Sequence, residues 1–155
     1  MSQEAINWEE FDAKVDAKAI NEDIEYSKEN FGEQREVPHG DYEVKISNME
    51  LKTSKKGDPM LSIWFKILDG KYKNSIIFYN QVINQGFQIH MANEMLRSLD
   101  SGVEVESLFR GYAYYSKLVM DIYEAIDEAK LEYALSYGEN AKGFNTYKII
   151  DVFES

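Results

Sequence analysis

A chain of 155 residues with no cysteine has the size of one domain; it excludes a disulfide framework and any thiolate zinc site, and it fits a reducing compartment, with cytoplasm the expectation. Its formal charge of -11, taken as one number, argues against a polyanionic partner, because nucleic-acid binding rests on Lys and Arg meeting phosphate. The opening MSQEAINWEEFDAKVD has neither the basic nor the apolar region of a signal peptide, and no apolar run approaches the roughly 20 residues of a membrane span, so neither a leader nor a membrane anchor is expected.

The charge is unevenly distributed. Residues 1–36 carry a net of -7, residues 84–155 a net of -6, and residues 37–83 a net of +2; the span Lys45–Lys73 alone reaches +4. A basic centre lies between two acidic ends. The expected organisation is an acidic helical extension over 1–36 followed by one domain over 37–155.

In chain order, Trp8, Phe11, Val15, Ala19 and Ile20 recur at helical spacing, and this stripe is expected to dock on the main domain or on a partner. Pro38 and Gly40 break helices, which makes Gly32–Gly40 a linker. From Asp41 the period becomes two: Tyr42, Val44 and Ile46 alternate with Glu43, Lys45 and Ser47, a half-buried strand continuing towards Leu51. Ser54–Pro59 is a turn. Met60–Asp69 is the second strand, with Leu61, Ile63, Phe65 and Ile67 on one face and Met60, Ser62, Trp64, Lys66 and Leu68 on the other. Asp69-Gly70 predicts a two-residue hairpin into a third strand from about Tyr72 to Ile83.

Phe87, Met91, Met95 or Leu96, and Leu99 are then spaced as the packing stripe of a helix ending near Ser101-Gly102. A second helix is expected over Gly111–Asp127, with Tyr115, Leu118, Val119, Ile122 and Ile126 inward. Leu131–Tyr137 and Phe144–Phe153 alternate as two closing strands around the turn Gly138–Gly143. A meander of three strands, a helical connection and a final hairpin match a five-stranded OB-type barrel, mainly β with accessory helices (α+β), in which closure removes exposed edges; a small α+β roll has the same order.

Single-strand binders combine a cationic groove with flat aromatic faces on which bases stack, at about 1–3 kcal/mol per base. The meander supplies both: Trp64 and Lys66 on one face, Tyr72 and Lys73 after the hairpin, Lys52, Lys55 and Lys56 at the opposite turn. On the third strand either Ile76, Phe78 and Asn80 or Ile77, Tyr79 and Gln81 face outward; Tyr79 is favoured because it tolerates water better, which makes Phe78 core. Lys142, Phe144 and Tyr147 are expected to form the far wall of the groove. Each has a plainer reading, since Trp64 is equally acceptable as a core residue and the lysines around Lys55 could simply solvate a turn. His39 and His90 have no metal-ligand spacing, and Walker, G-x-S-x-G and G-x-G-x-x-G patterns are lacking, so neither an enzyme nor a cofactor is expected.

The stretches Val37–Val44, Ser54–Leu61, Phe65–Asn74, Ile77–Gln81 and Gly143–Lys148, in this order and spacing, resemble a family of small bacteriophage and prophage proteins catalogued as a domain of unknown function and encoded among recombination and replication genes. The resemblance covers nearly the whole chain. It implies an OB fold and binding of single-stranded DNA without sequence preference, in replication or recombination, within the cytoplasm of a bacterial host. Expected partners are single-stranded DNA, phage recombinase or replication proteins, and further copies of the chain joining short grooves. The acidic composition leaves an alternative, an interaction protein that mimics DNA or inhibits a host enzyme; meander lysines held in ion pairs would mark it.

Overall fold

The structure, a computed structural model, describes Glu9 and residues 37–154; the amphipathic helix expected over residues 5–35 lies outside the described residues. The chain divides between Arg35 and Glu36, and the second unit is described here.

Strand β1, Gly40–Thr53, begins with Val44 and Ile46 inward, but the register slips between Ile46 and Asn48. This bulge reverses the phase, so that Met49, buried, and Leu51, partly buried, continue the inner face. Tyr123 Oη donates to the Ser47 carbonyl at 2.8 Å and holds the bulge from outside the sheet. A turn follows in which Gly57 takes φ 86°, a conformation glycine adopts without strain. Strand β2, Pro59–Ile67, is the centre of the core: Leu61, Ile63, Phe65 and Ile67 are each 0% exposed.

The expected two-residue hairpin does not form. A type I′ turn needs positive φ at both central residues, whereas Gly70 has it and Asp69 does not; the second positive φ falls on Asn74. Residues 68–75 instead make a longer connection, closed where Asn74 N donates to the Ile67 carbonyl and Ile67 N to the Ser75 carbonyl. Strand β3 therefore runs Ile76–Val82 and excludes Tyr72.

Helix α1, Gly86–Ser98, begins where Gln88 Oε1 accepts from the backbone N–H of Gln85. Its buried residues are Ala92, Asn93, Met95 and Leu96, while Phe87 and Met91 are 63% and 52% exposed. Met95, Leu96 and Leu99 are buried as expected, but the first half of the stripe is not: Phe87 and Met91 share a face with each other, and at about 100° per residue they stand well away from Ala92 and Leu96. Helix α2, Tyr112–Ala129, buries Tyr115, Val119, Ile122 and Ile126 as its spacing requires, and ends where Lys130 adopts a left-handed conformation. Strands β4, Leu131–Glu139, and β5, Asn145–Glu154, complete one five-stranded antiparallel sheet of order β3-β2-β1-β4-β5.

No strand pairing joins β3 to β5 among the described residues, so the hydrogen-bonded ladder is open. A side chain spans the seam instead: Tyr147 Oη donates to the Phe78 carbonyl at 2.8 Å, with the Tyr147 ring 5.2 Å from that of Tyr79. Tyr147→Phe keeps the ring and removes this tie. The expected cost is about 0.5–1.5 kcal/mol, the net worth of one such bond, read as a lower urea midpoint with faster amide exchange confined to β3 and β5; unchanged exchange there would show that the tie is dispensable.

Candidate nucleic-acid interface

In an antiparallel pair, residues directly opposite share a face, so the register assigns the outer surface row by row. Trp64 stands between Asn48 and Phe78, and Lys66 between Lys45 and Ile76. Trp64 is half-buried and Phe78 41% exposed, their rings edge-on at 5.4 Å. The expectation for β3 is therefore reversed. Tyr79 is 7% exposed and faces inward, so it offers no platform to a base, while Phe78, expected in the core, occupies the outer face. Both Phe78 and Tyr79 are aromatic, and only the pairing Trp64↔Phe78 decides between them.

The remaining nominated residues separate by position. β1 pairs with Pro59 at its Thr53 end and with Tyr137 at its Gly40 end. Lys52, Lys55 and Lys56, all exposed, lie at or beyond the first end. Tyr72, Lys73, Lys142 and Phe144 lie at the second, where Tyr72 is half-buried edge-on to Tyr42 at 6.4 Å. The two groups stand roughly 26 Å apart along β2, so they form the ends of a surface and not one patch. Tyr147, expected on the far wall, turns inward to the seam bond already described, its phenol donating to the Phe78 carbonyl.

The loop between β4 and β5 is held by Asn140, whose Oδ1 accepts from the N–H groups of Lys142 and Phe144 at 2.9 and 3.0 Å. With the backbone fixed in this way, the loop presents Lys142 together with a Phe144 ring that is 66% exposed. An exposed aromatic two residues from a lysine, on a turn whose backbone is held by hydrogen bonds, is the kind of surface on which a base can stack, and the backbone's share of the ordering entropy has already been lost in folding.

None of Lys52, Lys55, Lys56, Lys66, Lys73 and Lys142 makes an ion pair among the described residues. The described ion pairs lie elsewhere, as in Arg97–Glu94 and Arg110–Glu106 of the helical region. Between α1 and α2 a cleft lined in part by Ile89, Asn93, Phe109 and Tyr115 holds only about 10 Å³, room for one water. Among the described residues no group of His, Asp and Glu could hold a metal ion, and no helix is long and apolar enough to cross a membrane.

The described unit is thus a mainly β, α+β domain in which an open five-stranded sheet carries Trp64, Phe78, Lys45 and Lys66 on one face, with further lysines at its two ends. The chain belongs to the family described as protein of unknown function (DUF669), which matches residues 23–108. No curated protein matches it.

Proposed function

We infer that this protein binds single-stranded DNA without sequence preference, on the outer face of β2 and β3. The observation that carries the reading is the Trp64–Phe78 row, an aromatic pair whose Phe78 ring is 41% exposed, beside lysines that no described carboxylate neutralises. Base stacking and phosphate–lysine contact together are what sequence-tolerant binding requires. The strand order and the helical connection between β3 and β4 support an OB-type barrel with its seam between β3 and β5, a fold that uses strands two and three with the flanking loops for this purpose. The alternative, an acidic DNA mimic, calls for meander lysines held in ion pairs, and the unpaired lysines weigh against it.

With the sequence resemblance, the reading extends to a phage or prophage accessory of replication or recombination in the bacterial cytoplasm, working beside recombinase or replication proteins. Its role is to hold the strand, with no catalysis and no cofactor. At a net charge of -11, long-range repulsion lowers the affinity of a single copy for DNA, and several copies joining their grooves would offset that loss.

Fluorescence anisotropy of a labelled oligonucleotide of about 30 nucleotides, longer than one OB site of ~4–16, tests the reading when single-stranded and duplex forms are compared across salt concentrations. Single strands are expected to bind more tightly; failure of both forms to bind at low salt would overturn the proposal. Replacing Lys55 and Lys56 together by alanine is expected to weaken binding and to lower the log–log salt slope by about 1.4, or ~0.7 per phosphate contact on a single strand. An unchanged slope would show that this turn does not touch the backbone.

A further inference from the structure

Every charged residue in the described cross-strand pairs faces a neutral one, with a single exception. Glu50 lies opposite Ser62, Lys52 opposite Met60, Asp41 and Lys148 opposite Ser136, Glu132 opposite Phe153, and so on through the sheet; only Lys45 and Lys66 set two charges against each other, and both are positive. Directly opposed like charges destabilise a sheet. Neither lysine makes an ion pair among the described residues, either with Glu43, two positions along β1, or with Glu132, which follows the Val44–Tyr133 pair on β4. On its other side Lys66 faces Ile76, which is apolar. Lys45 is exposed and Lys66 partly buried, and as directly opposed residues they put both side chains on the same face of the sheet.

The next row along the same face is Asn48, Trp64 and Phe78. Two residues of strand separate the rows, about 6.7 Å, which is the scale of the reach from a backbone phosphate to its own base. We propose that Lys45 and Lys66 form a phosphate subsite, holding one phosphodiester of a strand whose base lies against the Trp64–Phe78 row. The bound anion relieves the repulsion that the free protein carries. That the phosphate belongs to DNA rests on the single-strand reading; that the pair binds a phosphate oxyanion does not.

Two measurements separate these claims. In thermal unfolding of the full chain at low salt, millimolar pyrophosphate is expected to raise the melting temperature of the unmodified protein, and Lys45→Gln and Lys66→Gln each abolish that rise. Without anion, both variants should melt at or above the unmodified protein because the repulsion is gone. In anisotropy with single-stranded oligonucleotide, each variant is expected to weaken binding roughly five-fold and to lower the salt slope by about 0.7. The double variant should lose little more than either single one, since one phosphate is shared, and Lys45→Arg should retain affinity.

If single strands bind but the glutamine variants keep both affinity and slope, the subsite is overturned and the single-strand reading stands. If pyrophosphate stabilises through the pair but no oligonucleotide binds, the single-strand reading falls and the pair is a site for free phosphate. A glutamine variant that melts well below the unmodified protein without anion would overturn the proposal by showing that the pair supports the sheet instead of straining it.

Discussion

Phe78→Ala is expected to lower affinity for single-stranded DNA by about 1–3 kcal/mol, tenfold for each 1.4 kcal/mol, while leaving the urea midpoint close to that of the unmodified protein. Phe78 is 41% exposed, so the truncation opens no cavity in the core; what is lost is a surface on which a base can lie. Trp64→Ala acts on the same row, and because the two rings touch edge-on at 5.4 Å, the double variant should fall short of the sum of the single effects. The adjacent residue gives the opposite result. Tyr79 is 7% exposed and packed against Tyr147, so Tyr79→Ala should cost roughly 3–5 kcal/mol of stability, as large aromatic truncations in cores do. Anisotropy and urea unfolding on the same samples give both quantities. If Phe78→Ala binds with full affinity, the stacking surface lies elsewhere.

Raising the pH from 10 towards 12 is expected to unfold the domain. Burial pushes the phenol of Tyr115 up to about 12 from 10.0, only partly opposed by Arg97. Burial raises Tyr79 and Tyr133 as well, the first helped by Tyr115 and Tyr147 and the second by Asp100. A phenol whose pKa is higher folded than unfolded contributes stability that is complete below the unfolded value of 10.0 and is lost as pH climbs through the folded value, because over that window the unfolded chain has released protons that the folded chain still binds. For Tyr115 the difference corresponds to a few kcal/mol, at ~1.36 kcal/mol per pH unit, and Tyr79 and Tyr133 add to it, against a total stability of roughly 5–15 kcal/mol for a domain.

Hydrogen bonds point the same way. The Tyr115 hydroxyl donates to Asn93 Oδ1 and that of Tyr133 to the Leu99 carbonyl, each at 2.8 Å, and a phenolate can donate neither. Urea midpoints measured across this range, beside tyrosinate absorbance, should fall together with the appearance of the buried tyrosinates. Tyr133→Phe should be less stable at neutral pH, with the Leu99 carbonyl left bare, yet lose less on going alkaline. Titration of every tyrosine near 10 in a protein that stays folded would overturn the expectation.

Local periodicity identified the inner face of β2 and the buried stripe of α2, because alternation and 3.6-residue spacing are properties of a single segment. In α1 it placed Met95, Leu96 and Leu99 inward correctly but misplaced the first turn and a half, where Phe87 and Met91 are apolar yet exposed and the small Ala92 takes the core position; hydrophobicity alone does not choose between neighbouring faces when both carry apolar residues. It misread Asp69-Gly70 for a related reason, since the dipeptide permits a tight turn but the observed backbone places its second positive φ at Asn74.

The basic meander between Tyr42 and Ile83 and the lysines and aromatics of its turns were determined by the sequence itself, as charge and alternation along one stretch of chain. The choice of Phe78 over Tyr79 for the outer face, the separation of Lys55 and Lys56 from Lys142 and Phe144, the inward turn of Tyr147 and the opposition of Lys45 to Lys66 were decided only by the tertiary structure. Each depends on the register between strands, and register is set by cross-strand packing and hydrogen bonding between residues distant in the chain, where a shift of one residue would turn a strand's whole set of side chains to the other face.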